Sequence, residues 1–221
     1  MATDTTTRAV WTAADLFDRF GPIPLDRIRH DPPPGLATVE DVIRIHDREN
    51  RLCELIDGVL VEKTRGAWES YLALEMAFFL KDFVRANNSG VVLGADGMLQ
   101  LFPRQVRIPD LSFISWDRWP GVEEFRAEAA PQVVVDLAVE VISKSNTRRE
   151  MEGKLREYFA AGVRLVWYVD PVPKQVRVFN SPDEWTVLTE NDILSGGDVL
   201  PGFELPLREL FREPQAPRDE A

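Results

Sequence analysis

The packing of a hydrophobic core does not explain why this sequence has a glutamate at position 140. It lies in the run from Val133 to Ile142, in which every odd-numbered position is aliphatic. Because side chains alternate between the two faces of a strand, Glu140 projects from the face opposite to that aliphatic row. An ionised carboxylate is costly to bury without a partner. The pattern therefore predicts a β-strand that carries an acid for a reason other than packing.

Asp110 occupies a similar position in a second predicted strand, which runs from Arg107 to Ile114. Leu111 and Phe113 face one side of that strand and Asp110 faces the other. Pro109 favours a strand start or a sheet edge, because proline cannot donate to a neighbouring strand. The sequence thus predicts two strands that each carry one acid on the face away from their apolar residues.

A lysine follows on a predicted helix. Thr147 and Glu150 have the spacing of a capping box, which opens a helix with an apolar stripe. Lys154 lies at the edge of this stripe, where a lysine can lay its stem on the core and direct its ammonium group into a cleft. Residues 165–169 form another apolar run. Strand, helix and strand in this order predict a βαβ unit.

Asp110, Glu140 and Lys154 together form a recognisable chemical set. Neighbouring carboxylates bind hard divalent cations such as Mg²⁺ or Mn²⁺, which retain water molecules for chemistry. Such an ion lowers the pKa of water and stabilises charge on a phosphodiester, while a lysine can orient the nucleophile or neutralise the intermediate. The set predicts metal-dependent phosphodiester hydrolysis, although the spacing alone does not establish it.

Glu54 belongs to a predicted hairpin over residues 51–62, whose turn is Asp57-Gly58. It has apolar neighbours on both sides. One interpretation makes Glu54 a solvent-facing strand residue, and the other makes it an additional acid beside a metal. The sequence does not decide between them.

The chain of 221 residues, 44% hydrophobic and 29% charged, is long enough for one well-packed globular domain. We expect an N-terminal extension over residues 1–37, a domain over residues 38–212, and a disordered tail over residues 213–221. Periodic patterns and turn residues predict further elements. These are short helices opened at Thr12 and Thr38, a helix over residues 68–84, strands over 91–94 and 98–102 joined by a turn at Asp96-Gly97, and a hairpin over 175–188.

Composition limits the kinds of site. A single cysteine excludes an intramolecular disulfide, and with two histidines the chain must use oxygen ligands for any metal. The formal net charge of −11 argues against a non-specific nucleic-acid binder, which needs a basic face. No apolar run approaches the length of a membrane span and the polar N-terminus has no signal-peptide core, so we expect a cytoplasmic protein without membrane contacts.

A local basic patch is compatible with that overall charge. Arg107 precedes Asp110, and Lys144, Arg148 and Arg149 crowd the turn and helix after the second acid. One interpretation is that these residues contact the DNA backbone. The other is that they are solvated residues paired with glutamates of the same helix.

Several short motifs occur in order along the chain. They are Glu54-Leu55-Ile56-Asp57-Gly58, Pro109-Asp110, Val139-Glu140-Val141-Ile142-Ser143, Lys154 with Tyr158, and Val166-Trp167-Tyr168-Val169-Asp170-Pro171. In this combination, between Thr38 and Phe211, the chain resembles the Uma2 family, also called DUF820, a family of proposed endonucleases in the PD-(D/E)XK nuclease superfamily. The resemblance implies an α/β fold with a restriction-endonuclease-like core, in which helices flank a central mixed sheet. An N-terminal segment and β-hairpins would be additions to that core.

The resemblance also implies roles for the acids. Asp110 and Glu140 would be metal ligands, and Glu54 would complete the metal shell. The family often has a histidine near the start of its first long helix, whereas this chain has Ala67-Trp68-Glu69. Metal affinity or the positioning of the nucleophile is expected to differ as a result.

The lysine is displaced relative to the superfamily pattern. That pattern places it two residues after the glutamate, where this chain has Ile142. In the family the lysine lies on the following helix, which here gives Lys154. Lys144 is a rival because it is nearer in sequence, although it occupies a turn.

Three functions follow from these residues. The leading hypothesis is a Mg²⁺- or Mn²⁺-dependent DNA endonuclease that uses Asp110, Glu140 and Lys154. A second is a catalytically inactive binding or assembly module that keeps the fold, with a homodimer as a candidate assembly. A third is a small-molecule hydrolase that uses the same acids.

Overall fold

The computed structural model describes residues 9–64 and 66–215. The helices in these ranges are α1 (Ala13–Phe20), α2 (Val39–Glu49), α3 (Ala67–Ala86), α4 (Val122–Ala127), α5 (Arg148–Ala161) and α6 (Leu207–Leu210). The strands are β1 (Cys53–Ile56), β2 (Val59–Glu62), β3 (Gly90–Leu93), β4 (Leu99–Phe102), β5 (Gln105–Arg107), β6 (Leu111–Ser115), β7 (Leu137–Val141), β8 (Leu165–Asp170), β9 (Gln175–Ser181), β10 (Glu184–Thr189), β11 (Ile193–Ser195) and β12 (Glu204–Pro206).

The central sheet has the strand order β10-β9-β8-β7-β6-β3. Its pairs are antiparallel except for β7 and β8, which run parallel. A smaller antiparallel sheet has the order β2-β1-β5-β4, and β11 pairs with β12. The predicted α/β architecture, a central mixed sheet flanked by helices, is confirmed.

The two faces of β7 carry the two halves of the core. Leu137, Val139 and Val141 pack in the core that also contains the buried residues of α3. Ala138 packs in the core on the other face, which α5 covers. This alternation places Glu140 toward α5, as the period-2 pattern predicts.

The βαβ unit formed by β7, α5 and β8 is also confirmed. Thr147 caps α5 by accepting a hydrogen bond from Glu150 N–H, and the Glu150 side chain accepts one from Thr147 N–H. Gly162 ends the helix in the left-handed region at φ 96°, where glycine is favoured. This helix therefore begins and ends where the local sequence dictates, which fixes the position of Lys154 relative to β7.

The segment before α2 packs closely on the rest of the chain. Phe20 and Ile23 are buried in a core with residues of the β1–β2 hairpin, and Ile28 forms a bridge to Val61. Arg149 of α5 donates hydrogen bonds to the Phe17 carbonyl at 3.1 Å and to the Asp18 carbonyl at 3.0 Å. The segment over residues 9–37 thus packs against both α5 and the β1–β2 hairpin.

The predicted strands over residues 91–94 and 98–102 are confirmed as β3 and β4, and they belong to different sheets, because β3 pairs with β6 and β4 pairs with β5. One expectation about strands is wrong: the strand that carries Glu140 begins at Leu137 rather than at Val133. Asp136, just before this strand, is buried, and its carboxylate forms ion pairs with Arg118 and Arg164.

Among residues 9–64 and 66–215, no helix combines the length and the apolar character needed to cross a bilayer. Of the predicted disordered tail, residues 216–221 lie outside the described residues, and residues 213–215 form neither helix nor strand.

Candidate active site

Glu140 of β7 is buried on the face that α5 covers. The ammonium nitrogen of Lys154 lies 2.8 Å from Glu140 Oε1. The Tyr158 hydroxyl, one turn further along α5, donates a 2.5 Å hydrogen bond to the same oxygen. The structure therefore brings together the strand acid and the helix lysine that the sequence pointed to, and it adds a tyrosine that fixes the orientation of the acid.

Asp110 lies immediately before β6 and is held against the end of β7. Its N–H donates a 3.0 Å hydrogen bond to the Val139 carbonyl, and its Oδ2 accepts a 2.7 Å hydrogen bond from Val141 N–H. Val139 and Val141 flank Glu140 in the sequence. The Asp110 carboxylate is thus fixed beside the stretch of backbone that carries Glu140.

Glu54 is buried, so the interpretation of it as a solvent-facing strand residue is wrong. Its Oε1 lies 3.0 Å from Lys154 Nζ and accepts a 3.0 Å hydrogen bond from Ile108 N–H. Its Oε2 lies 2.7 Å from Arg107 Nη1. Lys154 is consequently held between Glu54 and Glu140.

The two glutamates that share Lys154 have different acidities. Burial favours the neutral form of Glu54, but Lys154 and Arg107 outweigh it and lower the pKa of Glu54 to about 2. Burial raises the pKa of Glu140, and the charge of Asp110 raises it further, against the opposing effect of Lys154. Glu54 is the permanent counter-ion of the lysine, whereas Glu140 carries a charge that a further cation would stabilise.

Lys154 remains charged at neutral pH. Burial alone would lower its pKa, but Glu140 and Glu54 raise the pKa of Lys154 above its ordinary value. Burial and the charge of Glu140 also raise the pKa of Tyr158 well above its ordinary value, so its hydroxyl acts as a hydrogen-bond donor. The site thus presents a fixed ammonium group rather than a proton-accepting amine.

The acidity of Glu54 leads to a testable pH dependence. Its pKa falls from 4.5 to about 2 on folding, so its stabilising contribution is full above pH 4.5 and is lost as the pH falls toward 2. The difference in unfolding free energy between wild type and Glu54→Gln should shrink between about pH 5 and pH 3. Urea unfolding at several pH values measures it. Glu184→Gln, at an exposed position of β10, should show little difference at any pH; an equally large, pH-independent loss in Glu54→Gln would contradict this assignment.

Arg107 does not lie where DNA could reach it. Its side chain is 0% exposed and forms ion pairs with Glu54 at 2.7 Å and with Glu157 at 2.5 Å. Arg19 of α1 contacts the other oxygen of Glu157. The expectation that Arg107 contacts DNA is therefore wrong: it is an interior cation that connects the N-terminal segment to the site through Glu157 and Glu54.

The other predicted basic residues are exposed at the start of α5. Lys144 lies in the turn before the helix, Arg148 pairs with Glu152 at 2.6 Å, and Arg149 contacts the N-terminal segment. All three line a cavity of about 560 Å³. The structure therefore places Lys154, and not Lys144, in contact with Glu140.

A cavity of about 380 Å³ opens in front of the acids. Its lining includes Glu54, Asp110, Glu140 and Lys154, together with Ala73, Leu74 and Ala77 of α3. Asn146 lines both this cavity and the basic one, so the two adjoin.

Lys63 completes the site and was missed by sequence reasoning. Its ammonium nitrogen lies 2.9 Å from Asp110 Oδ1 and donates to the Ile108 carbonyl at 2.7 Å and the Ala95 carbonyl at 3.2 Å. A signal for it did exist. The hairpin pairs Glu54 with Val61, and a residue two positions after Val61 lies on the same face of the sheet.

The donor set fits a divalent ion at Asp110 and Glu140. The two carboxylates line one cavity, and Mg²⁺ is usually held by one or two carboxylates plus substrate phosphates. Glu54 fits poorly as a third ligand, because its oxygens already contact two cations and a backbone N–H. Within the described part of the chain, no group of three or more histidine, cysteine, aspartate or glutamate residues is arranged to hold a metal.

The comparisons with known proteins agree on one family. The model of the Uma2 family, described as "Putative restriction endonuclease", matches residues 39–208. The crystal structure of "a putative nuclease belonging to DUF820" from Anabaena variabilis is similar with a TM-score of 0.68 and 17% sequence identity, over 79% of this chain and 97% of that one. No curated protein matches the chain significantly. The structural similarity concerns the fold.

Proposed function

Because the chain belongs to the Uma2 family, we propose that it is a metal-dependent DNA endonuclease that hydrolyses phosphodiester bonds at the cavity lined by Asp110, Glu140 and Lys154. The observation that carries this proposal is the contact of Lys154 with Glu140, beside an aspartate fixed to the same strand. Lys154 takes the place of the lysine that the superfamily pattern expects at residue 142.

Asp110 and Glu140 would hold Mg²⁺ or Mn²⁺. When bound, the ion would supply positive charge for the phosphodiester and lower the pKa of the attacking water. Lys154 would donate hydrogen bonds to the phosphoryl oxygens or to the nucleophile, in a site where burial strengthens electrostatic interactions. Glu54 and Tyr158 act as positioning residues, because Glu54 holds Lys154 and Tyr158 fixes the orientation of Glu140.

The DNA backbone would lie along the basic cavity. Lys144, Arg148 and Arg149 supply positive charge at the start of α5, and Asn146 connects them to the site. These residues oppose the net negative charge of the protein locally, which is what phosphate binding requires. A homodimer stays a prediction.

One observation favours the alternative, a catalytically inactive module with the nuclease fold. Lys63 and Lys154 already provide ion pairs for Asp110 and Glu140, so the acids have cationic partners without a metal. In that case the protein would bind DNA or a partner but would not cleave.

The test is incubation of the wild-type protein with supercoiled plasmid in Mg²⁺, in Mn²⁺ and in EDTA, with bis(p-nitrophenyl) phosphate in parallel. Nicking that requires the metal supports an endonuclease. Hydrolysis of the small phosphodiester without nicking would instead indicate a small-molecule hydrolase. Plasmid binding without hydrolysis of either substrate would favour the inactive module.

A further inference from the structure

Lys63 occupies a position that resembles a cation site. Its ammonium group is surrounded by Asp110 Oδ1 at 2.9 Å, the Ile108 carbonyl at 2.7 Å and the Ala95 carbonyl at 3.2 Å. Its side chain is only 12% exposed, yet it lines the same cavity as Glu140. Three oxygens converging on one positive charge are the kind of ligands that a hard metal ion prefers.

Lys63 also belongs to a cluster of charges that is nearly balanced. The five carboxylates of this cluster are Glu54, Asp57, Asp110, Glu140 and Glu157, and its four cations are Arg19, Lys63, Arg107 and Lys154. Their formal charges sum to −1. A divalent ion that enters this site therefore leaves a net positive charge unless one of the cations withdraws.

Of the two cations that pair with Asp110 and Glu140, Lys63 is better placed to withdraw than Lys154. Arg107 and Lys154 have side chains that are 0% and 7% exposed, and each is held by two carboxylates. Lys63 forms its ion pair with Asp110, and its other contacts are to backbone carbonyls. A lysine has a flexible four-carbon stem and is readily solvated, so it can leave this position at low cost.

We infer that Lys63 is an internal competitor of the metal: its ammonium group neutralises Asp110 when no metal is bound, and it must leave Asp110 for a divalent ion to bind there. Lys63 then sets the metal affinity of the site and is a positioning residue rather than a catalytic one. The inference rests on the proposed function only in that it places the metal at Asp110 and Glu140.

The experiment measures Mn²⁺ binding by calorimetry, and by electron paramagnetic resonance of free Mn²⁺, without DNA. Lys63→Gln removes the charge and should bind Mn²⁺ about tenfold more tightly or better, since a positive charge this close to the ion repels it strongly. Lys63→Met is a second neutral variant that should show the same gain. Lys63→Arg keeps the charge and should not bind more tightly than wild type.

Two controls locate the effect. Lys81→Gln removes a charge from an exposed position of α3 and should leave Mn²⁺ affinity unchanged. Adding Asp110→Asn to Lys63→Gln should abolish the gain, because the two residues are coupled directly.

The inference and the proposed function fail in different ways. If wild type and both neutral variants bind Mn²⁺ equally, Lys63 does not compete, whether or not the wild type cleaves DNA. If the neutral variants bind Mn²⁺ more tightly but no form cleaves DNA, the competition is real and the nuclease proposal fails. If no variant binds Mn²⁺ at all, the inference is overturned together with its metal site.

Discussion

Replacing Lys154 by methionine is expected to slow DNA cleavage by about 10²- to 10⁴-fold, the range for losing a positioned catalytic group. Methionine keeps much of the length of the side chain and removes the ammonium group that contacts Glu140 and Glu54. The measurement is the single-turnover rate of plasmid nicking at saturating enzyme. A thermal melt of the variant must show that it is folded at the assay temperature.

Lys144→Met is the matched control, because Lys144 is the rival for the same role. Its side chain is exposed in the turn before α5 and lines the basic cavity. We expect this variant to weaken DNA binding while its rate at saturation stays within about threefold of wild type, as for the loss of one phosphate contact. A rate loss confined to Lys144→Met would transfer the catalytic role to Lys144.

Replacing Arg107 by methionine is expected to lower the free energy of unfolding by about 3–5 kcal/mol, the usual cost of breaking a buried ion pair. Arg107 is fully buried, and its removal takes one cation from both Glu54 and Glu157. Glu54 would keep Lys154 and Glu157 would keep Arg19, so the loss should be large but compatible with a folded protein. Guanidinium-induced unfolding measures it.

Arg148→Met and a double variant complete that experiment. Arg148 is 92% exposed and pairs with Glu152, so its replacement should lower the free energy of unfolding far less than the replacement of Arg107. Adding Glu157→Met to Arg107→Met should recover part of the lost stability, because it removes a carboxylate left with fewer partners. Equal losses in Arg107→Met and Arg148→Met would mean that the buried network contributes nothing specific.

The elements that local sequence controls could be predicted well. The residues that begin and end helix α5, its capping box and its C-terminal glycine, lie in the helix or directly beside it. The Asp57-Gly58 turn likewise defines the hairpin of β1 and β2. In the turn, Asp57 and Gly58 adopt φ 53° and 85°, the left-handed conformation that these residues favour. The contact of Lys154 with Glu140 follows from the phase of one helix and one strand.

Contacts that depend on strands far apart in sequence could not be predicted. The turn after β3 leads to β4, which belongs to a different sheet, because β3 pairs with β6 whereas β4 pairs with β5. Arg107 has the same alternating pattern as an exposed strand residue, but its partner Glu157 comes from a helix that packs behind it. Periodicity predicts the face of a strand or helix on which a residue lies, but it does not predict which element packs on that face.

The acids illustrate the same limit at the site. The sequence around Glu54 is compatible with either a solvated or a buried side chain. Its burial follows from the packing of the smaller sheet against α5. The sequence indicated the metal-binding character of Asp110 but not the ammonium group of Lys63 beside it. A metal site and a buried ion-pair network differ in whether activity requires the negative charge of Glu140.

Replacing Glu140 by glutamine changes that charge with the least disturbance. The amide oxygen can still accept the hydrogen bond from Tyr158, and the side chain keeps its shape within the buried site. The decisive measurement is the rate of supercoiled-plasmid nicking in Mg²⁺ or Mn²⁺ by wild type and Glu140→Gln, purified side by side. The proposed function predicts metal-dependent nicking by the wild type and a rate at the buffer background for the variant. Equal rates for the two proteins, or no nicking by either, would contradict it.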